Sequence, residues 1–120
     1  MSVSIDLRIV DVAYGRPARD VAVRLERQFA EGWQLVYVGR TDDTGYIGDP
    51  FQAYVGLNRP HTGVYRLTLD CAGYFGLQGT VTFYRDAVLT FFVADTDEKH
   101  GLCVLMGPQT LTACHTRCEP

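Results

Sequence analysis

The sequence has no run approaching the roughly 20 apolar residues that cross a bilayer, and no amino-terminal basic stretch leading into an apolar segment. These absences predict a cytoplasmic protein with no membrane partner. Its 11 Lys and Arg residues are outnumbered by 14 Asp and Glu, for a formal charge of −3, and they form no stripe along the chain. A phosphate backbone needs clustered cations, so nucleic acid is not an expected partner. No long segment keeps apolar residues at helical spacing, and there is no repeat, linker or low-complexity tract. The length of 120 residues suits a single domain over 1–120 with a core of its own.

Close Cys-x-x-Cys pairs are also missing. Cys71, Cys103, Cys114 and Cys118 are therefore read as thiols in a reducing compartment, not as bridges or a zinc site. If 114–118 is extended at about 3.3 Å per residue, Cys114 and Cys118 are too far apart to bond. No metal and no cofactor are expected.

What the chain has is period-two alternation between turn signals. It predicts strands near 3–12, 20–28, 33–40, 62–70, 79–84, 87–94, 100–107 and 110–117. Gly15-Arg16-Pro17, Asp43-Thr44-Gly45, Arg59-Pro60 and Gly107-Pro108 mark turns, and 71–77 (CAGYFGL) allows one short helical turn. The expected fold class is all-β, an antiparallel β-sandwich of two four-stranded sheets with one short helix.

In such a sandwich each strand sends one face inward. Ile5, Leu7 and Ile9 share one side of the first strand, opposite Asp6, Arg8 and Val10. Leu102, Val104 and Met106 likewise oppose Gly101, Cys103 and Leu105, and Leu111 and Ala113 oppose Thr112, Cys114 and Thr116. The second faces are small, semi-polar and thiol-bearing, which suits the lining of a contact surface or cavity. Trp33, Tyr65 and Phe91 are assigned to packing, and His61 and His100 to structural roles. Cys114 and His115 are adjacent on one strand and so face opposite ways, which prevents them from pairing within it.

"RIVDVAYGRPARDVAVRLER", "TDDTGY", "TGVYRLTLD" and "GYFGLQGTVTFYRDAVLTFFVADTDEKHGLCVLMGP" resemble the transthyretin and 5-hydroxyisourate hydrolase family over nearly the whole chain. The resemblance implies self-association, with sandwiches paired edge to edge and two dimers forming a homotetramer around a central channel lined by the first strand and the last two. Arg8 then takes the place of the hydrolase's first histidine or of transthyretin's lysine. The hydrolase's arginine becomes Tyr46, and its second histidine falls on Gly101, with Lys99 at the preceding histidine position. Its terminal Tyr-Arg-Gly-Ser becomes Cys114-His115-Thr116-Arg117.

A guanidinium stays protonated and cannot activate water as a general base, so the usual hydrolysis is not expected. Two readings follow, both with a small-molecule substrate or ligand as partner. In the first, a repurposed catalyst acts on a non-purine molecule by ring opening, cyclisation or isomerisation. Arg8, Tyr46, Cys103 and Cys114 are its catalytic candidates, and Asp6, Thr112, His115 and Thr116 contact the ligand. In the second, the chain only binds a small anion, as transthyretin does. The catalytic reading is placed first, the carrier second and hydroxyisourate hydrolysis third.

Overall fold

The computed structural model describes residues 4–48, 62–94 and 99–118, and only the backbone of Arg117 and Cys118. The Arg59-Pro60 turn and His61 lie outside the described residues. Strands β1 (Ser4–Asp11), β2 (Arg16–Pro17), β7 (Lys99–Met106) and β8 (Leu111–Cys118) form one sheet in the order β2-β1-β7-β8. Strands β3 (Ala22–Phe29), β4 (Gly32–Arg40), β5 (Gly63–Leu69) and β6 (Ala87–Val93) form the other, ordered β4-β3-β5-β6. The β1–β7 pairing is parallel, and every other strand pairing described is antiparallel. This is the two-sheet sandwich that the resemblance implies, with helix α1 (Cys71–Gly76) after β5.

Alternation places the core where the sequence puts it. Leu7 and Ile9 of β1, Val23 and Leu25 of β3, Leu67 and Leu69 of β5, and Val104 and Met106 of β7 are buried between the sheets. Removing each such side chain from water is worth about 1.5–3 kcal/mol, enough to lock the strand parity. Tyr65 is fully buried and stacks on Phe91 with centroids 5.8 Å apart. Trp33 lies under the Arg66 guanidinium at 4.2 Å. Asp70 caps α1 by accepting a hydrogen bond from the Gly73 amide (2.9 Å), and Tyr74 donates its hydroxyl proton to buried Asp11 (2.7 Å), pinning the helix to the end of β1.

The sequence expectation fails at 79–84, which is not a strand. Val81 and Phe83, which would share one face of a strand, are both almost fully exposed, at 90% and 87%, while Thr80, Thr82 and Tyr84 on the alternate positions are only half-buried. The segment is held by separate bonds instead: Thr80 N–H to Phe75 O, Phe83 N–H to Pro108 O, and the Tyr84 hydroxyl to the carbonyls of Gly107 and Thr110. The eighth strand is instead the two-residue β2, within a stretch the sequence marks as a turn. No described helix is long and apolar enough to cross a membrane.

Candidate functional site

The site is built by register. The parallel β1–β7 ladder aligns Asp6 with Gly101, Arg8 with Cys103 and Val10 with Leu105. The β7–β8 hairpin then aligns Gly101 with Thr116, Cys103 with Cys114 and Leu105 with Thr112. Three transverse rows result on the sheet face turned away from the core. The middle row reads Arg8, Cys103, Cys114, and at about 4.8 Å between strands it spans about 10 Å.

Tyr46 extends that row at its other end. It is not on a strand but forms an isolated bridge with Arg8, and the Arg8 guanidinium carbon lies 5.7 Å from its ring centroid, within cation–π range. The Asp42–Tyr46 turn sets this position. One Asp42 carboxylate oxygen accepts from the Thr44 amide (2.9 Å), the Thr44 hydroxyl (2.6 Å) and the Tyr46 amide (3.1 Å). These donors, the Thr44 hydroxyl foremost, hold the carboxyl below its ordinary value. Gly45, at φ +82°, presents its carbonyl to the Ile9 amide (2.8 Å), and a Cβ there would strike the Ile9 carbonyl.

Asp6, Arg8, Tyr46, Thr112, Cys114 and Thr116 are exposed, whereas Val10, Gly101, Cys103 and Leu105 are half-buried. The rows therefore lie on an open sheet face of the protomer. Asp6 lies two residues from Arg8 on this face, but no ion pair joins them, and among the described residues the guanidinium contacts Tyr46 instead. Thr116 places its hydroxyl over Gly101, in the space a side chain at 101 would need. The face offers a fixed cation, a phenol, two thiols and two threonines, a set that can hold an anion and hydrogen-bond a carbonyl.

His115 does not join this face. It points to the other side of β8, where its Nε2 lies 2.9 Å from Nδ1 of His100, with the rings stacked at 5.1 Å and 28°. The pair borders a cavity of about 310 Å³ between the sheets, lined chiefly by Ile5, Leu89, Phe91, Phe92 and Leu102. Burial, followed by the charge of His115, lowers the tendency of His100 to protonate. This pairing escapes a reading of single strands, because it depends on the hairpin register that sets His115 opposite Leu102 and diagonal to His100. The direct opposition of Cys103 and Cys114 is missed for the same reason. Gly107-Pro108 was the available signal, since a tight turn there fixes every later pair.

The chain is 28% identical to 5-hydroxyisourate hydrolase of Salmonella typhimurium over 85% of this chain and 72% of that protein. It is 27% identical to 5-hydroxyisourate hydrolase 2 of Rhizobium meliloti over 83% and 84% of the two chains. Transthyretin from Sparus aurata superposes with a TM-score of 0.84 at 27% identity, covering 96% of this chain and 97% of that one. An (S)-allantoin synthase structure shares the fold, with a TM-score of 0.83 at 24% identity over 96% of this chain and 44% of the synthase. Residues 5–114 match the profile of the HIUase/transthyretin family. The chain belongs to that family.

Proposed function

We propose that this chain is a divergent family member that takes up a small anionic organic molecule against the Tyr46–Arg8–Cys103–Cys114 row and transforms it by ring opening, cyclisation or isomerisation. The substrate in this reading is an activated carbonyl compound outside purine degradation. The observation that carries it is Arg8: a permanent cation stands where the resemblance expects the hydrolase's histidine, with no ion-pair partner among the described residues. Its fork of donors suits a carboxylate, an enolate or a developing oxyanion, but it cannot accept a proton from water. Tyr46 would hydrogen-bond the carbonyl, with Cys103 or Cys114 as acid or nucleophile and Asp6, Thr112 and Thr116 as further ligand contacts.

In this reading the open face becomes a passage when protomers assemble into dimers and a homotetramer. Strands β6 and β8 each end their sheet. An unpaired edge strand is a template for another strand, which supports edge-to-edge dimerisation.

A carrier role is the second reading. It is favoured by the same cation and by the sea bream transthyretin determined in complex with thyroxine, which this chain matches at 27% identity with a TM-score of 0.84. Hydroxyisourate hydrolysis is the third, favoured by the curated relatives. Assaying freshly generated 5-hydroxyisourate separates it from the others: background-rate decay supports the divergent reading, and hydrolase-like turnover overturns it. Once a substrate is found, for instance through neighbouring biosynthetic genes, Arg8→Ala should abolish turnover in a catalyst and merely weaken uptake in a carrier.

A further inference from the structure

We propose that Cys103 and Cys114 form a two-thiolate site for a soft monovalent metal ion of the cuprous or silver class. The inference uses the same two thiols as the organic-ligand reading but does not rest on that reading, and it starts from the hairpin. The Gly107 amide donates to the Thr110 carbonyl at 3.0 Å. From that closing pair the β7–β8 register runs without a shift from Met106–Leu111 to Lys99–Cys118. Hydrogen-bonded and non-hydrogen-bonded pairs alternate along an antiparallel ladder, which makes Cys103 and Cys114 a hydrogen-bonded pair.

That assignment decides what the two sulfurs can do. In such a pair the Cα atoms are about 5.5 Å apart, and the Cβ atoms lie at the wide end of cross-strand spacing, about 5.5 Å. A disulfide needs the Cβ atoms at about 3.8 Å, so bonding the sulfurs directly would have to tilt the two Cα–Cβ bonds toward each other, although the Cα spacing itself lies within the range a disulfide accepts. An ion between them has no such demand: with the zinc–thiolate length of about 2.3 Å as a scale for a metal–sulfur bond, sulfurs on opposite sides of one ion are about 4.6 Å apart. Both thiols are accessible, Cys114 being exposed and Cys103 half-buried, and neither is in a disulfide.

Ligand number and charge narrow the choice of ion. No cluster of three or more His, Cys, Asp or Glu able to hold a metal occurs among the described residues, and His115 faces the other way. That leaves a two-coordinate site, suited to soft ions that thiolates select, and not the four ligands of structural zinc. Binding releases one proton from each thiol to solvent and gives a bis-thiolate complex of charge −1 around a monovalent ion. Arg8, the β1 residue aligned with Cys103, adds a fixed cation to the same row, its guanidinium lying over Tyr46.

The test titrates the reduced full-length chain with silver ion in the absence of oxygen. It reads stoichiometry by native mass spectrometry and sulfur-to-metal charge transfer by ultraviolet absorption. The expected result is one ion per protomer, retained in Cys118→Ser and lost in both Cys103→Ser and Cys114→Ser, with circular dichroism confirming that each variant is folded. Retention of the ion by either single variant, or its loss in Cys118→Ser, overturns the proposal. So does an oxidised product of mild peroxide treatment in which the 100–117 tryptic peptide has lost two hydrogens, because it would show that the pair closes readily as a disulfide.

Discussion

Arg8 lies over the ring of Tyr46 while the backbones of the two residues are bridged, so a residue of β1 and a residue of a loop more than thirty positions later act as one unit at the end of the thiol row. An exposed cation–π contact is worth about 0.5–1 kcal/mol. Tyr46→Phe keeps the ring and should leave urea-denaturation stability within about 0.5 kcal/mol of the parent. Tyr46→Ala should lose roughly the full contact. If the hydroxyl hydrogen-bonds the ligand, Tyr46→Phe will still weaken binding, and equal binding by parent and Tyr46→Phe would remove the phenol from the site.

Gly45 and Gly15 both have positive φ, +82° and +65°, but only at Gly45 does an added Cβ meet a backbone carbonyl, that of Ile9. Gly45→Ala should therefore cost about 1–3 kcal/mol and displace Tyr46. Gly15→Ala, opening into free space, should cost about 1 kcal/mol. Paired thermal or urea unfolding measures the difference, and equal losses would contradict the close approach of the Gly45 turn to β1.

Cys71 is fully buried, and burial pushes its thiol up to about 11. Brief iodoacetamide treatment of native protein should label Cys103 and Cys114 and spare Cys71, with Cys71 labelled only in denaturant. Peptide mapping reads the result directly, and rapid native labelling of Cys71 would contradict the packing of α1 against the core.

His100 gives stability a pH dependence of known sign. Its folded value is lowered from 6.5 by burial first and by His115 second. The unfolded chain therefore takes up the proton more readily, so the stabilisation is complete above about 6.5 and is lost as pH falls through the folded value. His100→Gln should flatten denaturation midpoints over that window, and His115→Gln should reduce the loss without removing it. Asp42 is also lowered, from 3.8, so its contribution fades in a separate and more acidic window. Unchanged midpoints between neutral pH and that lower window would contradict the placement of the His100 ring.

Much of this architecture is legible from alternation alone, because Leu7, Leu102 and Val104 can be buried only if Arg8 and Cys103 face away. The short helical turn expected over 71–77 is also found, as Cys71–Gly76, with Asp70 as its cap. Segment 79–84 is misread because alternation reports which residues would share a face, not whether a face exists to be covered. The pairings of Cys103 with Cys114 and of His100 with His115 depend on register, a property of two strands together that no single strand carries. Tyr46 became a candidate through family resemblance, and its bridge to Arg8 depends on the Asp42 turn closing against β1.

The most direct measurement is calorimetric binding of a flat aromatic anion, 2-naphthoate, to the parent chain, Arg8→Lys and Arg8→Ala. The account predicts binding by the parent, intermediate affinity with lysine, and a loss of about tenfold or more with alanine, equivalent to at least about 1.4 kcal/mol. Equal affinity in the parent and Arg8→Ala would show that the anion does not use this guanidinium, and the candidate site would have to be sought elsewhere.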